Sequence, residues 1–246
     1  MPENITGRNA VYETLQAGRR EVYSLQIAKG VKMKGRINDI VSSLKQLNKP
    51  VSEVDRKLVD RIGSDHHGVA LSASGYPYSS LLDMLELAEA RQQAPFILIL
   101  DTLKDPQNLG TLLRTAEAVG VHGILLPLRQ TVTVTPAVVN ASSGASEHML
   151  ISQSNLAQSI NILKENDVWV IGLDGSPDAQ PPEKLNLSGG LAVVVGSEGA
   201  GMRRLIRDSC DSLLRLPMSG RVESLNAAVA GSIALYLAKG ARGWDS

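Results

Sequence analysis

From Phe96 onward, runs of consecutive apolar residues alternate with segments whose apolar residues recur every three or four positions. The runs are FILIL at 96–100, GILL at 123–126, VWVIGL at 168–173, LAVVV at 191–195 and LLRL at 213–216. Such near-continuous apolar strands, alternating with helices, predict a parallel sheet covered on both faces. The helices are expected up to Val119, near Pro136 to Asn140, from Asn155 to Lys164, briefly after Met202, and from Leu225 to Ala238. The first 75 residues carry a smaller α/β pattern. A helix from Asn9 to Ala17 is stopped by Gly18, and Val22 to Ala28 reads as a strand. Ile37, Ile40, Val41, Leu44 and Leu47 recur at helical spacing until Asn48 and Pro50 end the pattern. Strand, helix and strand candidates follow at 51–54, 56–62 and 69–72. Gly75, Pro77 and two serines then lead into an amphipathic helix from Leu81 to Arg91, which Pro95 separates from the next strand. The expected division is therefore a first domain over 1–75, a linker and connecting helix over 76–94, and a second α/β domain over 95–246.

Composition bounds what these domains can be. A chain of 246 residues, 43% of them hydrophobic, can bury one good core and a small second one. The net charge is zero, yet residues 1–75 hold 12 Lys/Arg against 8 Asp/Glu, while 76–246 hold 13 against 17. Lys29, Lys32, Lys34 and Arg36 place four cations within eight residues of the basic front. That density suits a modest polyanion-facing patch and equally a solvated loop. The lone Cys210 excludes an internal disulfide and a cysteine-rich metal site, which fits a reducing cytosol. No charged n-region precedes an apolar stretch, and no apolar run approaches the roughly 18 residues of a membrane span. The chain is accordingly expected to be soluble and cytoplasmic. Adjacent His66 and His67 invite a metal reading, but neighbours in an extended segment point to opposite faces, so a turn is expected there and no metal.

Three short runs place Gly, Pro, Asn and Ser where loops follow strands, the position at which such folds hold ligands. The first, DPQNLGTLLRTAEAVG at 105–120, offers Asn108 as an N-cap. Leu109, Leu112, Leu113, Ala116 and Val119 form the apolar stripe of its helix, leaving Arg114 to reach outward or to pair with Glu117. The second, VVVGSEGAG at 193–201, lacks the Gly-Lys-Ser/Thr of a P-loop and the glycine order of a dinucleotide site. Its glycines permit close backbone approach to a ligand, or a tight turn. In the third, LPMSGRVESLN at 216–226, Pro217 and Gly220 bracket a turn, Ser224 is the expected cap of the last helix, and Asn226 lies in its first turn. No Gly-x-Ser-x-Gly elbow surrounds Ser224, so it does not read as a hydrolase nucleophile.

In this order and spacing the three runs resemble the signature motifs of the SpoU (TrmH) family of RNA ribose 2'-O-methyltransferases, within the SPOUT superfamily. Gly7-Arg8-Asn9-Ala10-Val11 with Glu13 and Leu15, together with His66-His67-Gly68-Val69, is similar to the small N-terminal domain of the bacterial 23S rRNA guanosine 2'-O-methyltransferases. Ser142-Ser143-Gly144-Ala145 with Glu147 also resembles a segment common in that group, whereas Asn140 stands where relatives often have a basic residue. The resemblance implies a ribosomal-protein-like RNA-binding domain followed by a trefoil-knot domain that binds S-adenosylmethionine and dimerises. It further implies cofactor contacts at Gly196, Leu216, Met218 and Leu225, with the loop near Gly175 as a further candidate. Arg114, Asn108, Glu198, Ser224 and Asn226 are implied as the catalytic centre, with RNA rather than DNA as substrate and rRNA foremost. Within the enzyme reading, a tRNA methyltransferase or an antibiotic-resistance rRNA methyltransferase is the alternative; a non-catalytic RNA-binding assembly protein is the other class.

Overall fold

The computed structural model describes residues 2–63, 65–222 and 224–244. Its elements run in order β1 (Glu3–Thr6), α1 (Arg8–Ala17), β2 (Val22–Ala28), α2 (Arg36–Gln46), β3 (Val51–Val54), α3 (Arg56–Asp60), β4 (Val69–Ala73), α4 (Leu81–Ala90), β5 (Phe96–Leu100) and α5 (Pro106–Ala118). They continue with β6 (Gly123–Pro127), α6 (Pro136–Ala141), β7 (Ile151–Ser154), α7 (Leu156–Glu165), β8 (Trp169–Leu173), β9 (Leu191–Val195), α8 (Arg204–Ser209), β10 (Ser212–Leu214) and α9 (Ala227–Arg242). By contact they form two compact units: Met1–Pro77 with Val134–His148, and Tyr78–Thr133 with Met149–Ser246.

The first unit is a four-stranded sheet in the order β1-β4-β2-β3, in which only β2 and β3 run parallel. Ile5, Val11, Leu25, Ile37, Ile40, Leu44 and Leu71 fill its core. Gly18 ends α1 in the left-handed region at φ 62°, its N–H donating to the Thr14 carbonyl at 3.3 Å. Strand β1 was not foreseen, because four residues of mixed polarity carry no period of their own. At 65–68 the expected turn is present: His66 is buried and His67 is exposed with φ 47°. The His66 ring accepts the Gly68 N–H at Nδ1 (2.8 Å), so Nε2 donates to Asp60 at 2.8 Å.

Residues 134–148 were expected with the second domain but pack into the first unit. The reason is a buried ion pair. Arg20 donates from Nε and Nη2 to the two carboxylate oxygens of Glu147, at 2.7 and 2.9 Å, and from Nη1 to Glu3 at 2.6 Å. Both the Arg20 and Glu147 side chains are almost wholly buried, so truncating either would strand a charge at a cost of about 3–5 kcal/mol. Gly144, at φ 91°, lets this segment lie against α1, since a Cβ there would sit 2.5 Å from that of Glu13. The Ser-Ser-Gly-Ala segment is thus a docking element.

The second unit contains a six-stranded sheet in the order β10-β8-β9-β5-β6-β7, with every pairing parallel. All five residues of β5, β6 and β9 are buried, as continuous apolar runs require when helices cover both faces. Of the expected linker, α4 belongs to this unit: Met84 is fully buried in its core beside β6, where a Cβ on Gly123 would lie 2.2 Å from it. Because all strands run parallel, the loops after β5, β6, β8, β9 and β10 emerge along one edge. No helix among the described residues is long and apolar enough to cross a membrane.

Candidate active site

Helix α5 begins earlier than the sequence suggests. Asp105, not Asn108, is its N-cap, accepting the Gln107 N–H at 3.0 Å, and Pro106 takes the first helical position, where its missing N–H costs nothing. Asn108 is therefore moved into the first turn, only 8% exposed, with its amide released from capping. Its Nδ2 donates to Glu198 Oε1 at 2.9 Å.

Helix α9 differs in the same way. Asn226, not Ser224, caps it, with Oδ1 accepting the N–H groups of Ala228 (2.9 Å) and Val229 (3.2 Å). The other end of that amide is thereby aimed at the site, where Nδ2 donates to Asn108 Oδ1 at 3.1 Å and to Glu198 Oε1. One asparagine terminates a helix with its oxygen and binds a carboxylate with its nitrogen.

Glu198 projects from a tight turn that folds back on itself. Ser197 and Gly201 exchange backbone hydrogen bonds at 3.0 Å each way, with Gly199 and Gly201 at φ 75° and 66°. A Cβ on Gly196 would stand 2.2 Å from the Gly201 carbonyl carbon and 2.3 Å from the Met202 nitrogen, so this position admits only glycine. The turn is anchored below by Arg203, whose backbone N–H and Nε donate to the fully buried Asp101 carboxylate at 2.7 and 2.8 Å. Sequence reasoning passed over both residues. A carboxylate directly after five buried apolar residues must be paired, and that signal marks Asp101; its partner, 102 residues away, carries none.

A cleft of about 780 Å³ opens beside this turn, and Gly196, Glu198, Leu216, Met218, Ser224 and Leu225 all line it. Gly175 lines it as well. Pro217 adds apolar surface, while Asp174 and Arg215, neither singled out from the sequence, add charge. Burial alone would raise the Asp174 carboxyl, but hydrogen bonds from Ser176 and Arg207 outweigh it and hold the group below the usual range. Arg207 is in turn fixed by Asp174 at 2.9 Å and Asp178 at 2.8 Å. Apolar side chains suited to a flat ring, exposed backbone groups, carboxylates suited to a cation, and a wall that a Cβ would fill together fit a nucleoside bearing a cationic group.

The remaining expected residues lie elsewhere. Arg114 is exposed on α5 and does not line the cleft; its neighbour Thr115 meets Ser232 of α9 at 2.9 Å. In the first unit, Lys29, Lys32 and Lys34 are exposed on the loop between β2 and α2. Arg36 is partly engaged, donating to Asn9 at 2.5 Å, lying 3.8 Å from Glu13 and stacking 4.9 Å from the Tyr12 ring centroid.

Comparisons with known proteins bear on the family and the fold. Residues 95–236 match the family described as "SpoU rRNA Methylase family", and residues 4–79 match "RNA 2'-O ribose methyltransferase substrate binding". A "Putative TrmH family tRNA/rRNA methyltransferase YacO" of Bacillus subtilis is 41% identical over 236 residues, covering 94% of this chain and 93% of its own. A putative TrmH family tRNA/rRNA methyltransferase of Staphylococcus aureus is 40% identical over 234 residues, covering 94% of this chain and 93% of its own. Among solved structures, the AdoMet-bound rRNA methyltransferase of Sinorhizobium meliloti superposes with TM-score 0.79 at 24% identity, covering 97% of this chain and 87% of that one. The SpoU methyltransferase AviRb of Streptomyces viridochromogenes, solved with AdoMet, gives 0.81 at 18% identity, covering 97% and 89%. At such identities the structures speak for the fold, and the family match over more than half the chain speaks for descent. The chain belongs to the SpoU rRNA methylase family of RNA methyltransferases.

Proposed function

We propose that the chain transfers a methyl group from S-adenosylmethionine to the 2'-hydroxyl of a ribose in RNA, foremost a guanosine of 23S rRNA. The observation that carries the reading is that two distant runs meet on one cleft, through Gly196, Glu198, Leu216 and Leu225, and that Asn108 of the remaining run joins Glu198 and Asn226 beside it. When bound, the donor supplies an electrophilic methyl on a positively charged sulphur. Leu216, Met218 and Leu225 bind its apolar part, and the turn at Gly196 lets backbone groups approach it closely. Asn108 and Asn226 hold Glu198 in place. The acceptor hydroxyl is a weak nucleophile, so it must be held at near-attack distance and relieved of its proton. Arg114 is a poor proton acceptor because a guanidinium stays protonated, while its planar fork suits a phosphate beside the target ribose. Ser224 lines the cleft, and with Asn226 capping α9 its hydroxyl is not needed for that task, so it can pass the proton to water.

The exposed lysines of the first unit support RNA as partner. Two copies of the chain associate through α9, where Val229, Ile233, Tyr236 and Leu237 form an exposed apolar stripe beside a hollow of about 360 Å³. This stripe lies on the helix packed against α5, so Arg114 serves the partner's cleft. The protein works in the cytoplasm, where its substrate is made. Calorimetry with S-adenosylmethionine, followed by ribose-methylation mapping of rRNA and tRNA from cells with and without the gene, tests the reading. Donor binding and the loss of one rRNA mark are expected; a lost tRNA mark would move the substrate, and no donor binding would end the proposal.

A further inference from the structure

The geometry points to a second substrate-binding element, a cationic lip formed by Lys104 and Arg129 that holds RNA phosphates on the acceptor side of the site. This rests on the methyltransferase reading above. The sheet order supplies the first argument. The cleft lies over the ends of β8, β9 and β10, and the cluster of Asn108, Glu198 and Asn226 joins the turn after β9 to the helix after β5. Continuing along the same edge, away from the cleft, come the loops after β5 and β6, which carry Lys104 and Arg129. A strand of RNA that presents one ribose to the cluster, with the donor filling the cleft, continues along this side of the edge.

The second argument is that these two loops are built as one rigid rim. The Leu103 carbonyl accepts both the Val132 N–H at 2.8 Å and the Thr131 hydroxyl at 2.9 Å. Each loop also carries a non-glycine residue in the left-handed region, Thr102 and Gln130, both at φ 61°. Such conformations cost on the order of 1 kcal/mol or more and persist only where surrounding contacts dictate them. Chain geometry keeps the rim close: Lys104 precedes Asn108 by four residues, at most about 14 Å of extended backbone.

The third argument is charge. On the donor side two arginines are neutralised, Arg203 by Asp101 and Arg207 by Asp174 and Asp178, which leaves Arg215 in the cleft wall facing the donor. On the rim, Lys104 and Arg129 are exposed, and neither side chain has an ion pair or hydrogen bond among the described residues. The nearest carboxylate in sequence, Asp105, is occupied in capping α5. Leu128, beside Arg129, is 64% exposed. Two unpartnered cations with an apolar side chain between strand and solvent suit a polymer that offers phosphates and a base or sugar face together, which is RNA backbone.

The test uses the full-length protein, its Lys104→Ala/Arg129→Ala double variant and the variant Arg129→Lys. Methyl transfer to rRNA transcribed in vitro is measured at varied RNA concentration, RNA affinity is measured at varied KCl, and donor binding is measured by calorimetry. The double variant should raise the RNA KM about tenfold and lower the slope of log affinity against log salt by about 1.4, two contacts at roughly 0.7 each on single-stranded RNA. Donor affinity should stay within twofold, and Arg129→Lys should restore most of the slope. An unchanged KM and slope with both cations removed would overturn the lip, as would a parallel loss of donor binding. Failure of the parent protein to methylate any RNA would sink the methyltransferase reading alone, because the salt slopes would still decide whether the rim contacts RNA.

Discussion

Asn226 performs two tasks with one side chain, and substitutions can separate them. Asn226→Ala removes both: the lost cap costs about 1 kcal/mol, which in a unit of this size lowers Tm by about 2–4 °C. Asn226→Ser keeps an oxygen for the Ala228 and Val229 N–H groups and should melt within about a degree of the parent, yet it deletes the donor to Asn108 and Glu198. Asn226→Asp also keeps the cap, and the positive end of α9 favours its charge. It sets a second carboxylate where Glu198 now receives an amide hydrogen, however. Two unit charges about 3 Å apart repel by roughly 1.4 kcal/mol in water and about 5 kcal/mol at an effective dielectric near 20. Glu198 must then swing away or one carboxyl must take up a proton. Single-turnover methyl transfer should therefore fall about 100-fold in Asn226→Asp, equivalent to roughly 2.7 kcal/mol of barrier, and recover partly as pH is lowered. Thermal melts measure the cap, and radiolabelled transfer to RNA measures the cluster. An Asn226→Asp enzyme at parental rate, or an Asn226→Ser protein as unstable as Asn226→Ala, would refute the division of labour.

Three further outcomes follow from other parts of the second unit. Gly196→Ala forces a Cβ to within 2.2 Å of backbone, so the turn must move; donor Kd should rise at least about tenfold in calorimetry, with overpacking of about 1–3 kcal/mol lowering Tm. His122 is buried, accepts the Phe96 N–H at 3.0 Å, and is pushed down to about 4 by burial and then by Arg91 and Arg242. Its folded state resists the proton that the unfolded chain takes up below about 6.5, so its contribution is intact above that pH and is lost as pH falls toward 4, reaching on the order of 3 kcal/mol. Urea unfolding at pH 7 and pH 5 should show a smaller drop for His122→Asn than for the parent, and equal drops would contradict the assignment. Tyr236→Glu on the exposed stripe of α9 should give a monomer by sedimentation with little loss of donor affinity; an unaltered dimer would place the contact elsewhere.

The sheet and most helices could be read from the sequence because burial imposes a local signature: strands covered on both faces are continuously apolar, and helices repeat every three to four residues. What could not be read has a common cause. Strands β1 and β7 are short and of mixed polarity, and owe their pairing to neighbours remote in sequence. The membership of 134–148 in the first unit depends on Arg20 meeting Glu147 across 127 residues, for which neither residue type carries a local mark. Within the candidate site, the expected helix caps were displaced by a few positions. Asn108 and Ser224 are both chemically able to cap, and Asp105 and Asn226 do so instead because the start of each helix is set by how it packs, here α5 against α9 with Leu112 lying close over Gly231. The cap assignment matters to function, since it frees Asn108 for the cluster and Ser224 for the cleft.

Glu198 is held by two amides rather than by a cation, and this bears on which ligand the cleft favours. Among the described residues it forms no ion pair, while Arg203 and Arg207 are committed to Asp101, Asp174 and Asp178. An arginine partner would have fixed its position equally well but cancelled its field. Amide donors fix it and leave the charge to act on whatever occupies the cleft, and the N-termini of α5 and α9 complement that charge. A sulfonium donor is therefore favoured over its thioether product, which lacks the positive sulphur. Glu198→Gln retains an oxygen for both asparagines and removes only the charge, so it should weaken binding of the donor more than binding of the product. Calorimetry with both ligands reads the ratio directly: it should narrow severalfold in the variant, and an unchanged ratio would show that Glu198 serves only to position its neighbours.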